Sequence, residues 1–227
     1  MLFIIDFDGT VAPEDTVDAL LRDFAGPDWE RLEEDWVRGS INSQQCMAGQ
    51  IALVRGEHGR LKEFLESVEI DPSFAAFVDF VRGFGEVVVV SDGLDYPIRH
   101  ALWKAGIDVP VVANAMQFRE GGLGITFPYG SADCTVGRGV CKCATSRDFN
   151  AGRGVPVILV GDGRSDQCIA RIADYVFAKS TLKSICEAEG IRHVAFETFA
   201  DVLDVVRGWV EAQQFKEQPC PLAFSPT

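Results

Sequence analysis

Leu2-Phe3-Ile4-Ile5-Asp6-Phe7-Asp8-Gly9-Thr10 decides how this chain is read. A short apolar run that stops at acids and a glycine suits a strand buried on both faces of a sheet. Side chains alternate along a strand, so Asp6 and Asp8 point the same way while Phe7 turns into packing. Gly9 permits the tight turn that follows. In open α/β sheets, ligands bind beyond the carboxyl ends of the strands, where these acids fall. Two carboxylates this close repel unless a divalent cation balances them or one keeps its proton. A protonated acid beside an ionised nucleophile is one such solution. The same residues also make an ordinary Asp-Gly turn, and taken alone the stretch supports both readings.

Working outward, further apolar runs read as strands at Val87–Val90, Val109–Ala113 and Val157–Val160, with weaker ones at Tyr175–Phe177 and His193–Phe196. Helical patterns lie between them. Asp71 reads as an N-cap with Pro72 in the first turn, opening a helix through Val81. Others cover Asp95–Ala105, Ser165–Ala173, Leu182–Glu189 and Phe199–Val210. Strands alternating with helices predict an α/β fold, a doubly wound, mostly parallel sheet. Residues 14–70 break the alternation, with amphipathic helices at Thr16–Phe24, Trp29–Val37, Ser43–Val54 and Leu61–Val68. They read as a helical cap inserted into a core of residues 1–13 and 71–213. Asn114–Phe127 reads as a hairpin turning at Glu120-Gly121-Gly122, and residues 214–227, with three prolines, read as a loose tail.

The chain has 227 residues, 47% hydrophobic and 24% charged, with a net charge of −13. That composition excludes disorder and leaves ample chain for a core. The acid excess excludes nucleic acid and anionic membranes as default partners, because those are held by Lys and Arg. The apolar start ends at Asp6, too soon for a signal peptide, and no run is long enough to span a membrane. Seven cysteines, an odd number without secretory context, suit cytosolic thiols and a cytoplasmic protein. Cys134, Cys141 and Cys143 cluster, but without the four-ligand spacing of a zinc site.

Two more strand ends carry polar clusters. Val90-Ser91-Asp92-Gly93 places a hydroxyl and backbone donors where a phosphoryl oxygen could sit, though Ser-Asp-Gly is also a common turn. Gly161-Asp162-Gly163-Arg164-Ser165-Asp166 offers carboxylates of the kind that ligate Mg²⁺, or a helix cap. Lys142 lies between them in Cys141-Lys142-Cys143, and a lone lysine is ordinarily a solvated surface residue.

In this order the pieces resemble the haloacid dehalogenase superfamily over nearly the whole chain. The resemblance implies Asp6 as nucleophile, Asp8 as acid/base and Ser91 as phosphate hydroxyl. It implies Lys142 as the bridging cation, Mg²⁺ held by Asp6, the Asp8 carbonyl and Asp162, and Asp166 as a further acid near the metal. Gly9, Thr10, Asp92 and Gly93 would lie around the phosphate. The second acid, Asp8, is similar to the phosphatases of that superfamily. The helical insert resembles the cap of the phosphoserine phosphatase-like branch. Within that branch a cap arginine usually holds the substrate carboxylate, and here the position is Gln50, while Glu14 and Asp15 stand near an expected acid. Phe127-Pro128-Tyr129, Phe177-Ala178-Lys179 and Phe196-Glu197-Thr198-Phe199 resemble the methionine-salvage phosphatases acting on 2-hydroxy-3-keto-5-methylthiopentenyl-1-phosphate. Asp92 departs from their usual Ser-Gly-Gly and could repel an anionic group or attract a cationic one. The expected partner is thus a small phosphorylated metabolite, with phosphocholine, phosphoethanolamine and phosphoserine as alternatives, handled by a monomer or homodimer. Readings outside that class are a phospho-accepting receiver domain, of about half this length, and an inactive phosphate-binding module.

Overall fold

The computed structural model of the protein describes residues 1–132, 134 and 137–212. The tail expected from Gln214 lies outside the described residues. A seven-stranded sheet runs β4-β3-β2-β1-β5-β6-β7. Its strands are β1 (Leu2–Ile5), β2 (Glu86–Leu94), β3 (Val111–Arg119), β4 (Gly122–Thr126), β5 (Val157–Gly161), β6 (Tyr175–Ala178) and β7 (Val194–Ala195). All pairings are parallel except β3 with β4. The doubly wound α/β expectation holds.

β1 is central because every residue of Leu2–Ile5 is apolar and buried. Its alternation serves two cores. Phe3, Ile5 and Phe7 face one layer with Phe74, Phe77 and Phe199. Leu2 and Ile4 face the other with Ile169, Leu182 and Cys186. The helices are α1 (Thr16–Phe24), α2 (Asp28–Val37), α3 (Ser43–Leu53), α4 (His58–Glu66), α5 (Phe74–Val81), α6 (Asp95–Lys104), α7 (Lys142–Asn150), α8 (Gln167–Ala170), α9 (Ser180–Glu189) and α10 (Phe199–Glu211).

Four helices, α1 to α4, fill the stretch between β1 and α5. Asp15 caps α1 by accepting from the Val17 and Asp18 N–H groups, and Asn42 and Gln45 form a capping box on α3. These helices close a third apolar cluster: Val17, Leu20, Leu21, Ile51, Val54, Leu61 and Leu65 pack with Leu94 of β2 and Leu123 of β4. The cap helices therefore rest on the β3–β4 hairpin as well as on the chain entering and leaving them. An isolated bridge, Arg55 to Gly122, adds main-chain pairing at that seam.

Three expectations are corrected. Asp71 does not cap α5, whose N-cap position is Ser73. The Asp71 carboxylate accepts instead from the Ser73 N–H at 2.8 Å and from the Phe199 N–H at 2.7 Å, tying α5 to the start of α10. The helix expected over Ser165–Ala173 is a 3₁₀ turn at Arg164–Asp166 followed by the single turn of α8, because Asp166 turns inward. The strand expected from Val109 begins at Val111, since Pro110 has no N–H to donate and its carbonyl accepts from Val89. Asp71→Ala should cost about 1–3 kcal/mol, the penalty of leaving a buried N–H unpaired. Urea unfolding with an unchanged slope and a lower midpoint is the expected result.

Candidate active site

β2, β1 and β5 are neighbours, and the strand order reverses around β1, which is the switch point where α/β sheets bind ligands. Their three polar termini meet there. Asp6 follows β1, Ser91 and Asp92 close β2, and Asp162 follows β5. The sequence leaves this meeting open, because neighbouring in a sheet is not a property of local sequence.

Lys142, far from these strands in the chain, completes the group. It is the first residue of α7, a helix the sequence reading missed, and it is 3% exposed. Its Nζ lies 2.8 Å from Asp6 Oδ1, 2.6 Å from Asp166 Oδ1 and 3.2 Å from Ser165 Oγ. This burial removes the surface reading of a lone lysine. Burial alone would lower its pKa, but Asp166 and Asp6 together outweigh that and raise it. The ammonium is charged throughout the neutral range.

Asp6 accepts from the Phe7 N–H at 2.8 Å, which fixes its carboxylate at the strand end. Burial, then Asp166, pushes its pKa well up, and Lys142 opposes this. Asp162 is raised by burial and then Asp166, and its carboxylate accepts from Thr10 Oγ1 at 3.1 Å. Asp166, fully buried, accepts from the Asp162 and Gly163 N–H groups through its second oxygen. A side chain on Gly9, at φ +71°, would run into the Asp162 carboxylate.

Asp8 stands apart from these acids. Its Oδ1 accepts from the Thr16 N–H at the start of α1, 2.9 Å away, and its Oδ2 from Ser91 Oγ at 3.3 Å. Burial, followed by Asp15, pushes its pKa up to about 7. Asp15 itself is pushed to about 6, first by burial and then by Asp18. Two acids two residues apart thus have different surroundings. One is held against a cation and the other is positioned to carry a proton near neutral pH.

Asp6, Asp162 and Asp166 each offer an oxygen, and these oxygens lie within 4.8 Å of one another. Two buried carboxylates and the half-buried Asp162 against one ammonium leave negative charge that a divalent cation would balance. Hard carboxylate oxygens are the donors Mg²⁺ takes, so the residues fit that ion. The trio differs from the expected set in holding Asp166, one of whose oxygens already meets Lys142.

A cavity of about 350 Å³ opens over this group. Its floor is Asp6, Asp8, Ser91 and Asp162, and Gly9, Asp92 and Gly93 also line it. Its roof comes from the cap helices: Val17 and Asp18 of α1, Glu33, Trp36 and Val37 of α2, and Met47 and Gln50 of α3. Gln50 donates to Glu33 Oε2 at 3.1 Å. Thr10 does not line the cavity, and its Oγ1 donates to Asp162 Oδ1. Glu14 is corrected: it is exposed, outside this cavity, and paired with Arg22. Asp15 does reach the cavity. Arg138 also lines it, with its guanidinium 5.6 Å above the Trp36 ring. Nothing in the sequence marks Arg138, Asp18, Glu33 or Trp36, since their roles arise only when the cap lies on the core. The thiols of Cys134, Cys141 and Cys143 are free. Burial raises those of Cys141 and Cys143, the latter to about 11, away from thiolate chemistry. No helix among the described residues is long and apolar enough to cross a membrane.

A family model, that of the haloacid dehalogenase-like hydrolases, matches residues 3–171. The chain is 32% identical to 2-hydroxy-3-keto-5-methylthiopentenyl-1-phosphate phosphatase of Exiguobacterium sp. strain AT1b, over 90% of this chain and 96% of that protein. Among solved structures, a HAD family hydrolase from Salmonella enterica serovar Typhi aligns with a TM-score of 0.70 at 18% identity, over 89% of this chain and 69% of that one. A phospho-aspartyl intermediate analogue of phosphoserine phosphatase aligns with a TM-score of 0.68 at 16% identity, over 90% and 97%. Likeness at such low identity shows a common fold. The sequence matches reach further, and with most of its length under the family model the chain belongs to the haloacid dehalogenase-like hydrolases.

Proposed function

We propose that the protein is a magnesium-dependent phosphomonoesterase acting through an aspartyl phosphate, with 2-hydroxy-3-keto-5-methylthiopentenyl-1-phosphate as its substrate. The observation that carries the reaction is the pairing of Asp6, held by Lys142 at 2.8 Å, with Asp8, whose carboxyl is raised to about 7. Asp6 attacks phosphorus in line and the ester oxygen leaves. Asp8 gives that oxygen its proton, then takes one from the water that hydrolyses the acyl phosphate. Lys142, Ser91 and the backbone N–H groups at the strand ends hold the phosphoryl oxygens, and positioning with electrostatics does most of the work. Asp6, the Asp8 carbonyl and Asp162 would hold Mg²⁺, with Asp166 beside them. When bound, the ion neutralises charge on the transferring group. The cap excludes bulk water. We place the protein in the cytoplasm.

The roof supports the substrate. Val17, Trp36, Val37 and Met47 give an apolar wall suited to a methylthio group, and the similar protein from Exiguobacterium carries this substrate in its name. Phosphoserine fits less well. Its carboxylate would meet Asp18 and Glu33, and Gln50 stands where a cation would be needed. Those same acids favour a second reading, phosphocholine or phosphoethanolamine, whose cationic heads they would attract. A panel of these four esters, assayed with Mg²⁺ and with chelator, tests the reading. The salvage ester should exceed the others by at least about tenfold in kcat/KM, which is only ~1.4 kcal/mol of transition-state discrimination. Chelator should remove turnover of all. Equal, weak turnover across the panel would refute the substrate and leave the chemistry standing.

A further inference from the structure

Asp92 lines the cavity and could, with a free charge, repel an anionic group or attract a cationic one. Its carboxylate is instead held on several sides. Oδ1 accepts from the Val140 N–H at 2.9 Å and lies 3.3 Å from Asn114 Nδ2. Oδ2 accepts from Ser43 Oγ at 3.1 Å, and Arg138 Nη1 is 3.9 Å away. Four parts of the molecule meet at this one side chain: the end of β2, Asn114 of β3, the first turn of α3 in the cap, and the segment 137–140 that leads into Lys142.

The contacts around it repeat the same connection. The Gln44 N–H donates to the Gly137 carbonyl at 3.2 Å, and Gln44 Nε2 donates to the Arg138 carbonyl at 2.9 Å. Arg138 Nη2 in turn donates to the Arg164 carbonyl at 3.0 Å, in the turn that carries Asp166. A Cβ at Gly139 would lie 2.7 Å from Asp92 Oδ1 and 2.5 Å from Asn114 Oδ1, so this segment is pressed against the β2 and β3 ends. Lys142 is two residues beyond Val140, and Val140 is 1% exposed. A shift of this segment must shift the start of α7 and the ammonium on it.

We infer that Asp92 is a positioning residue that couples closure of the cap, through Ser43, to placement of Lys142 against Asp6, through Val140. This rests on the phosphatase reading and adds to it. The cap contact is made through a hydroxyl and can part and reform as substrate enters. The Val140 contact is buried and sets the lysine. Charge selection of the substrate falls to the roof acids, because the Asp92 charge is spent on donors within the protein.

The test compares Asp92→Ala, Asp92→Asn and Ser43→Ala, each assayed with p-nitrophenyl phosphate and Mg²⁺, with thermal melts alongside. Asp92→Ala should lower kcat about tenfold or more, the order expected when a catalytic group is displaced by a fraction of an ångström. Asp92→Asn keeps an acceptor for Val140 and a donor for Ser43, and should recover kcat to within about threefold of wild type. Ser43→Ala should raise KM about threefold or more with kcat within about twofold, since only cap closure is weakened. A purely structural Asp92 would lower the melting temperature and leave this KM-against-kcat split absent. Wild-type KM in Ser43→Ala overturns the coupling, as does wild-type kcat in Asp92→Ala. Should Asp92→Ala fail to fold, Ser43→Ala decides alone. A wild type silent on every phosphomonoester overturns the phosphatase reading and this one with it.

Discussion

Asp6→Asn is expected to lose turnover by about 10⁴-fold or more while the fold survives, the magnitude typical of removing a covalent nucleophile. The amide oxygen can still accept from the Phe7 N–H and from Lys142, which now make their bonds to Asp6 at 2.8 Å each. What the variant would lose, in the proposed mechanism, is the negative charge that attacks phosphorus. That charge is costly in the metal-free protein. Burial raises the Asp6 pKa first, and Asp166 and Asp162 raise it further. A carboxyl with a folded pKa above its unfolded value stabilises the fold fully only below the unfolded pKa. Its contribution is lost as pH rises toward the folded value. Near neutral pH the metal-free Asn variant should therefore melt at or above the wild-type temperature, the usual exchange of activity against stability at a charged site. Near-wild-type turnover in that variant refutes Asp6 as the nucleophile. A collapsed melt with lost turnover would instead assign it a structural role.

Lys142→Met should damage both properties. Lys142 is 3% exposed and, among the described residues, it is the cation paired with both Asp6 and Asp166. Taking one partner from a buried ion pair typically costs about 3–5 kcal/mol. The pH dependence has a definite sign. The lysine's own pKa is raised on balance by Asp166 and Asp6, so its stabilisation is present at every pH below the ordinary lysine value. The acids left behind behave oppositely, since Asp6 and Asp162 are already raised by burial and lose compensation. The deficit in melting temperature should be smallest at mildly acidic pH, where these carboxyls protonate, and should grow as pH rises. Mg²⁺ should restore part of the stability by binding the same carboxylates, but not the turnover, for which about a 10³-fold loss is expected from removal of a charge-stabilising donor. A deficit that is flat with pH would show that Lys142 acts through packing alone.

Part of this arrangement was legible in the sequence, residue by residue. β1 was, because Leu2–Ile5 is buried on both faces and so uniformly apolar. α1, α3 and α4 were, because each sends apolar residues into a common cluster, which α2 reaches through the partly buried Trp29. The placement of Asp6, Asp8 and Asp162 beyond strand ends was, because short apolar runs that stop at acids mark those ends. α7 was not, because its polar face and buried cation give it little apolar periodicity, and its anchor is Asp166, in another element. Asp71 was misread for a related reason. A local cap and a bond to the Phe199 N–H, over a hundred residues on, look identical in sequence.

The alternation of strands and helices, the two-sided burial of the sheet and the side chains that stand at strand ends are all written in the local pattern of residues. These follow from periods of two and 3.6 residues and from turn chemistry, all of them local. Only the tertiary structure decided which strand ends are neighbours, that Lys142 is buried between two acids, that Asp8 is raised to about 7 and that Asp92 binds the cap. Each of those depends on desolvation and on charges brought close by residues distant in the chain. Such terms change steeply over a few ångströms, and no local pattern carries them.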